Sequence, residues 1–161
     1  MKKLITIIII LITAGSYEGV NLKRESVAGI KLDDPEAVVY QKFGQPTQKT
    51  ELEYFECCDY YYQRLNYTKL GLEFGIYRKN IKKSGKVHDI YAKDNSNAKT
   101  SKEVGIGSTK DEIRESYGEY EEGYEEPVWT YIYSKKYDFI MLHFIFTDDK
   151  VTAIKFGYHD D

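Results

Sequence analysis

Gly29 to Pro46 reads GIKLDDPEAVVYQKFGQP, and Gly105 to Tyr120 reads GIGSTKDEIRESYGEY. Laying Gly44 on Gly118 places Leu32 on Ile106, Asp34 on Ser108, Val39 on Ile113 and Phe43 on Tyr117, a constant offset of 74 residues. Asp34 and Ser108 are predicted N-caps, whose side-chain oxygens accept from otherwise orphaned amides of the first helical turn. Pro35 takes the first helical position, where a missing N–H costs nothing, and Ser108-Thr109-Lys110-Asp111 resembles a capping box. Val39 with Phe43, and Ile113 with Tyr117, stand four apart and so share a helix face. Gly44 and Gly118 end each helix in a conformation that other residues resist.

After each helix the period falls to two, the signature of strands. Leu70, Leu72, Phe74 and Ile76 alternate with Gly71, Glu73, Gly75 and Tyr77; Ile140, Leu142, Phe144 and Phe146 alternate with Phe139, Met141, His143 and Ile145. Val87 to Ala92 matches Val151 to Phe156, and Tyr61 to Tyr67 and Val128 to Ser134 supply an earlier strand in each half. Ser84-Gly85 and Asp148-Asp149-Lys150 are the intervening turns. The predicted fold is α+β: two tandem units, each a helix followed by a three-stranded antiparallel meander, with both helices on one face of the sheets. One unit alone buries too little apolar surface to be stable.

The organisation expected is a signal peptide over 1–16, an N-terminal extension over 17–26, units over 27–92 and 103–161, and a polar connector over 93–102. Met1-Lys2-Lys3, the apolar run Leu4 to Thr13 and the small residues Ala14, Gly15 and Ser16 form the three parts of a secretory signal. Polar Tyr17 and Glu18 arrive too early for a membrane span of about 20 apolar residues. Cleavage falls after Ser16, with Ala14 as the alternative, and Ser16 stands where a lipoprotein needs cysteine. The protein is therefore expected in the periplasm or outside the cell, with no stable membrane insertion after cleavage.

The 161-residue chain carries 23 basic and 26 acidic side chains, and loss of residues 1–16 leaves a formal charge of −5. That balance repels a phosphate backbone and argues against nucleic acid. Lys79, Lys82, Lys83 and Lys86 cluster around an exposed turn and read as a solvated hairpin tip. Glu119 to Glu126 contains five glutamates and reads as a solvated loop.

Gly44-Gln45-Pro46, with Ile106-Gly107-Ser108-Thr109 through Ile113 and Tyr117-Gly118, resembles the helix grammar of the β-lactamase inhibitory protein family, itself a tandem helix-plus-sheet repeat. It is similar as well to the SmpA/OmlA (BamE-like) envelope lipoproteins, which hold one such unit. The resemblance covers most of residues 27–158. Pro46 has no counterpart in the second half, where Tyr120 stands. The resemblance implies a non-catalytic module that binds another protein through its sheet; an envelope assembly factor is the alternative, and a small hydrolase a third.

Tyrosine occurs 16 times, and Tyr and Trp offer large contact area with few rotors to freeze. Trp129, Tyr131, Tyr133, Met141, His143, Tyr61 and Tyr77 are the candidate partner-binding residues, with Met141 and His143 expected on the open side of the sheet beside the aromatic row. Cys57 and Cys58 are the only cysteines. A vicinal disulfide, an intermolecular bond and two buried thiols are all open. Gly105 to Lys110 lacks phosphate-loop spacing. His88, His143 and His159 lie apart from any hydrolase or zinc motif. No cofactor or metal is indicated; the partner is an unidentified protein, and the chain is expected to be a monomer.

Overall fold

The computed structural model describes residues 20–93, 95–121, 127–135 and 138–159. The expected signal peptide lies outside the described residues, as do 17–19 of the extension, Asp94 of the connector and 122–126 of the acidic run.

Two eight-residue helices form where the caps predict them: α1, Glu36–Phe43, and α2, Lys110–Tyr117. Their N-caps lie one residue later than the sequence suggests. Pro35 precedes α1 without a side-chain cap, while Thr109 and Glu112 form the capping box of α2. Asp34 and Ser108 instead close the turn before each helix. Lys31 N–H donates to Asp34 Oδ2 at 2.8 Å, and Gly105 N–H donates to Ser108 Oγ at 3.1 Å. Gly44 and Gly118 terminate the helices at φ of 73° and 80°, a region costly for any residue with a Cβ. Their carbonyls accept the buried hydroxyls of Tyr67 at 2.9 Å and Tyr131 at 3.0 Å.

The strands are β1 (Gln48–Lys49), β2 (Glu53–Phe55), β3 (Tyr60–Tyr67), β4 (Leu72–Arg78), β5 (Lys86–Ala92), β6 (Val128–Lys135), β7 (Asp138–Thr147) and β8 (Lys150–Tyr158). They make a single antiparallel sheet in the order β1-β3-β4-β5-β8-β7-β6, with β2 also pairing β3. The fold is thus mixed α and β, two helices against one sheet. The β7–β8 turn is tight because Asp148 and Asp149 both adopt positive φ, 52° and 79°, the geometry that two-residue hairpins require.

Register puts the core on one face. Leu65, Phe74, Ile90, Phe156, Leu142 and Tyr131 form one cross-strand row, and Tyr67, Leu72, Ala92, Ile154, Phe144 and Trp129 the next. All twelve are buried. Phe43 of α1 stacks on Phe74 at 5.6 Å, and Tyr117 of α2 sits 5.4 Å from Phe144, so both helices cover this face.

One expectation needs correction. Leu70 belongs to a 3-10 turn, Thr68–Leu70, and is exposed, because Gly71 turns left-handed at φ 61° and restarts the chain as β4. The polar connector is packed against the rest of the chain. Ala98 and Thr100 are buried, Ala28 N–H donates to the Lys99 carbonyl at 2.9 Å, and Thr100 N–H to that of Val104 at 2.8 Å. The stretch before residue 27 is part of the core, with Leu22 fully buried and Glu25 inside.

Candidate functional site

The face opposite the helices carries two further rows: Arg64, Gly75, Asp89, Gly157, Met141 and Ile132, then Asn66, Glu73, Tyr91, Lys155, His143 and Thr130. A glycine stands on each side of Asp89. A Cβ at Gly75 would fall 1.9 Å from Asp89 Oδ2 and 2.3 Å from the Tyr62 hydroxyl; at Gly157 it would fall 2.7 Å from Asp89 Cβ. The aspartate therefore lies flat across its neighbours, and Gly157 leaves a depression between Asp89 and Met141. That depression is the floor of a groove of about 450 Å³ walled by Tyr91, Lys155, His143 and Arg64.

Tyr62 donates its hydroxyl to Asp89 Oδ2 at 2.8 Å, and Arg64 donates to Tyr62 at 2.8 Å. His88 Nδ1 approaches the same carboxylate at 3.5 Å, and Arg64 lies 3.9 Å from its other oxygen. Burial alone would raise the pKa of Asp89, but hydrogen bonds from His88 and Tyr62 and the charge of Arg64 outweigh it and hold the carboxyl below its usual range. Tyr62 is pushed the other way, first by burial and then by Asp89. The stability contributed by Asp89 is therefore present above the ordinary carboxylate pKa of about 4 and lost as pH falls through the lower folded value. The stability gap between the wild type and Asp89→Asn should be flat around neutral pH and shrink in acid. A gap that widens in acid would contradict this arrangement; urea titration at stepped pH measures it.

Glu73 bridges Lys93 and, at 3.7 Å, Arg64. Two ammonium groups approach the Tyr91 ring, Lys93 at 5.5 Å and Lys155 at 5.8 Å from its centre. His143 hydrogen-bonds Thr130 at 2.9 Å, and burial, then Lys155 and His159, depress its pKa and favour the neutral imidazole. The groove therefore presents fixed charges of both signs, an aromatic ring and a thioether. Among the described residues no group of three His, Cys, Asp or Glu side chains is placed to hold a metal, and no helix is long and apolar enough to cross a membrane.

The candidate aromatic row does not reach this face. Trp129 pairs with Phe144 and Tyr131 with Leu142, so both share the inner face and are 2% and 3% exposed. Tyr133 packs half-buried against the same core. Met141 and His143 do lie on the helix-free side, beside Thr130 and Ile132 rather than beside the aromatic row. Tyr61 is half-buried against Tyr54, 4.9 Å between rings, and Tyr77 donates its hydroxyl to Asp33 at 2.9 Å. Neither lines the groove. The sequence reading missed Arg64, Asp89, Tyr91 and Lys155; the available signal was a lone glycine within each of two strands, a mark of close approach.

Cys57 and Cys58 sit exposed in the β2–β3 turn, with no disulfide joining them and their sulfurs 2.9 Å apart. Exposure removes the buried-thiol reading.

No family model and no curated protein matches the chain. Among solved structures, a DUF4309 family protein (YjgB) from Bacillus subtilis subsp. subtilis str. 168 aligns over 81% of this chain and 83% of its own, at 14% identity and a TM-score of 0.41.

Proposed function

We propose that the chain is an exported binding module whose partner is a protein docked on the helix-free face of the sheet, centred on the Asp89 groove. The observation that carries this reading is the pair of adjacent rows through Asp89 and Tyr91, where two carboxylates (Asp89, Glu73), the Arg64 guanidinium and the ammonium groups of Lys155 and Lys93 gather around Tyr91. Preorganised charge beside an exposed-edge aromatic is what gives a recognition surface its specificity.

Tandem duplication belongs to the same proposal, and several paired contacts support it. Asp33 N–H donates to Val87 O and Val87 N–H to Asp34 O; Gly107 N–H donates to Val151 O and Val151 N–H to Ser108 O. The Phe43–Tyr67–Phe74 cluster has a counterpart in Tyr117–Tyr131–Phe144. The register shifts fall between Gly75 and Ile76 in one half and between Ile145 and Phe146 in the other.

Capture from the host's exported fraction, with the protein immobilised, tests the binding face. Tyr91→Ala with Lys155→Glu is expected to weaken the captured complex by about 30-fold or more, the scale of a hot-spot residue, without changing the circular dichroism of the free protein. Unaltered affinity in that variant would place the interface elsewhere.

A further inference from the structure

We propose that the β4–β5 tip is a docking point for an anionic lipid surface, independently of any partner on the groove. Residues 79–85 leave the sheet as a loop whose apex, Ile81, is 58% exposed, the highest value among the exposed large hydrophobic side chains of the described residues. The exposed Lys79, Lys82, Lys83 and Lys86 flank it along the chain, and none of the four has a carboxylate within salt-bridge distance among the described residues. Tyr61 pairs with Arg78, so the β2–β3 turn projects from the same end of the sheet, and it brings the exposed Tyr54 and Phe55. That turn also brings the carboxylates Glu56 and Asp59, of which Asp59 accepts the Tyr54 hydroxyl at 2.9 Å.

The loop stands on a fixed base. Glu36 at the start of α1 binds Arg78 Nη2 at 2.6 Å and the Gly85 amide at 2.9 Å, and its own amide donates to the Gly85 carbonyl at 3.0 Å. Asn80 closes the apex by accepting from the amides of Lys82 and Lys83. The tip is thus held in shape before it meets anything, which lowers the ordering cost of contact.

An exposed isoleucine flanked in the loop by lysines without carboxylate partners matches one chemistry in both halves. Anionic headgroups attract the ammonium groups, each contributing on the order of fivefold in partitioning near a charged surface. The acyl boundary takes up the aliphatic side chain while the lysine stems lie along it. A soluble polyanion would use the lysines and leave the isoleucine in water, so the bilayer surface accounts for more of what is present.

The test uses the full chain on vesicles of phosphatidylcholine with and without phosphatidylglycerol. The apolar Leu4 to Thr13 run contacts either vesicle and is common to every variant, so the readouts are the ratio of binding to the two vesicle types and a reporter at the tip itself. Ile81→Trp should shift its emission to the blue on phosphatidylglycerol vesicles, against a constant background from buried Trp129. Lys79→Glu with Lys82→Glu and Lys83→Glu should lower the binding ratio by about 100-fold, and high salt should do the same to the wild type. Ile81→Asp should lower binding to the anionic vesicles about tenfold. An Ile81→Trp emission unchanged by the vesicles overturns the proposal, as does a triple variant that keeps the wild-type ratio. Equal binding by Ile81→Asp and the wild type assigns the tip to polyanions alone and overturns it too. Because Tyr91 and Lys155 are untouched, partner capture by these variants reads the groove separately.

Discussion

Truncating Trp129 to alanine is expected to destabilise the fold by about 3–5 kcal/mol, the range for emptying a large aromatic site in a core. The indole is stacked on Tyr120, with ring centres 4.6 Å apart and planes 12° from parallel, and meets Phe146 edge-on at 5.0 Å. Lys110 and Arg114 of α2 lie over the same ring, at 5.4 and 4.9 Å. The side chain therefore ties the helix, the loop after it and the far edge of the sheet together. Its removal leaves a cavity that three separate elements would each have to shift to close. In urea the midpoint should fall by roughly 2 M for a domain of this size. A midpoint within error of the wild type would mean that Trp129 is not core. Partner capture lost in this variant would report unfolding, which is why the capture experiment uses Tyr91 and Lys155 instead.

Why the sequence pointed at Trp129 as a surface residue is a question of phase. Alternation along β6 shows that residues 129, 131 and 133 share a face, but one strand viewed alone does not say which face meets the core. In β7 the inward set is unambiguous, since Ile140, Leu142, Phe144 and Phe146 form a continuous apolar series and all four are buried. Only the register between the two strands, Trp129 on Phe144, carries that phase across. The helices were legible because their signals are local: N-terminal caps, pairs four apart, a glycine stop. Even there the cap of α2 falls on Thr109 rather than Ser108, because two adjacent hydroxyls both have an amide to satisfy. The Asp89 groove was illegible for the opposite reason. Its members come from β3, β4, β5, β7 and β8, and nothing in the spacing of Arg64, Glu73, Asp89, His143 and Lys155 announces that they meet. Composition is silent on the packing of the connector: Ser96 and Thr100 are polar, yet small enough to be buried with their backbone groups paired.

Glu25 is the sharpest case of a residue that no local pattern marks, and replacing it should have an effect second only to that of Trp129. Its side chain is 4% exposed. One carboxylate oxygen accepts from the amides of Ser26 at 2.8 Å and Ser101 at 2.7 Å; the other accepts the Tyr117 hydroxyl at 2.8 Å. Burial, reinforced by this carboxylate, pushes the Tyr117 pKa well above its ordinary value. Three distant parts of the chain, the segment before the first helix, the connector and the end of α2, thus converge on a single carboxylate. Glu25→Ala strips the acceptor from three donors in a buried setting, and at about 1–3 kcal/mol for each donor left unsatisfied, partly recovered by entering water, the net loss should be about 3–4 kcal/mol. Glu25→Gln keeps a carbonyl oxygen for the two amides and an amide group toward Tyr117, whose hydroxyl rotates to accept. That variant should lose only about 1 kcal/mol. Denaturant midpoints of the two variants separate the explanations, because a site held by volume alone penalises alanine and spares glutamine completely, whereas one held by charge penalises both alike. The graded outcome is what a hydrogen-bond hub requires.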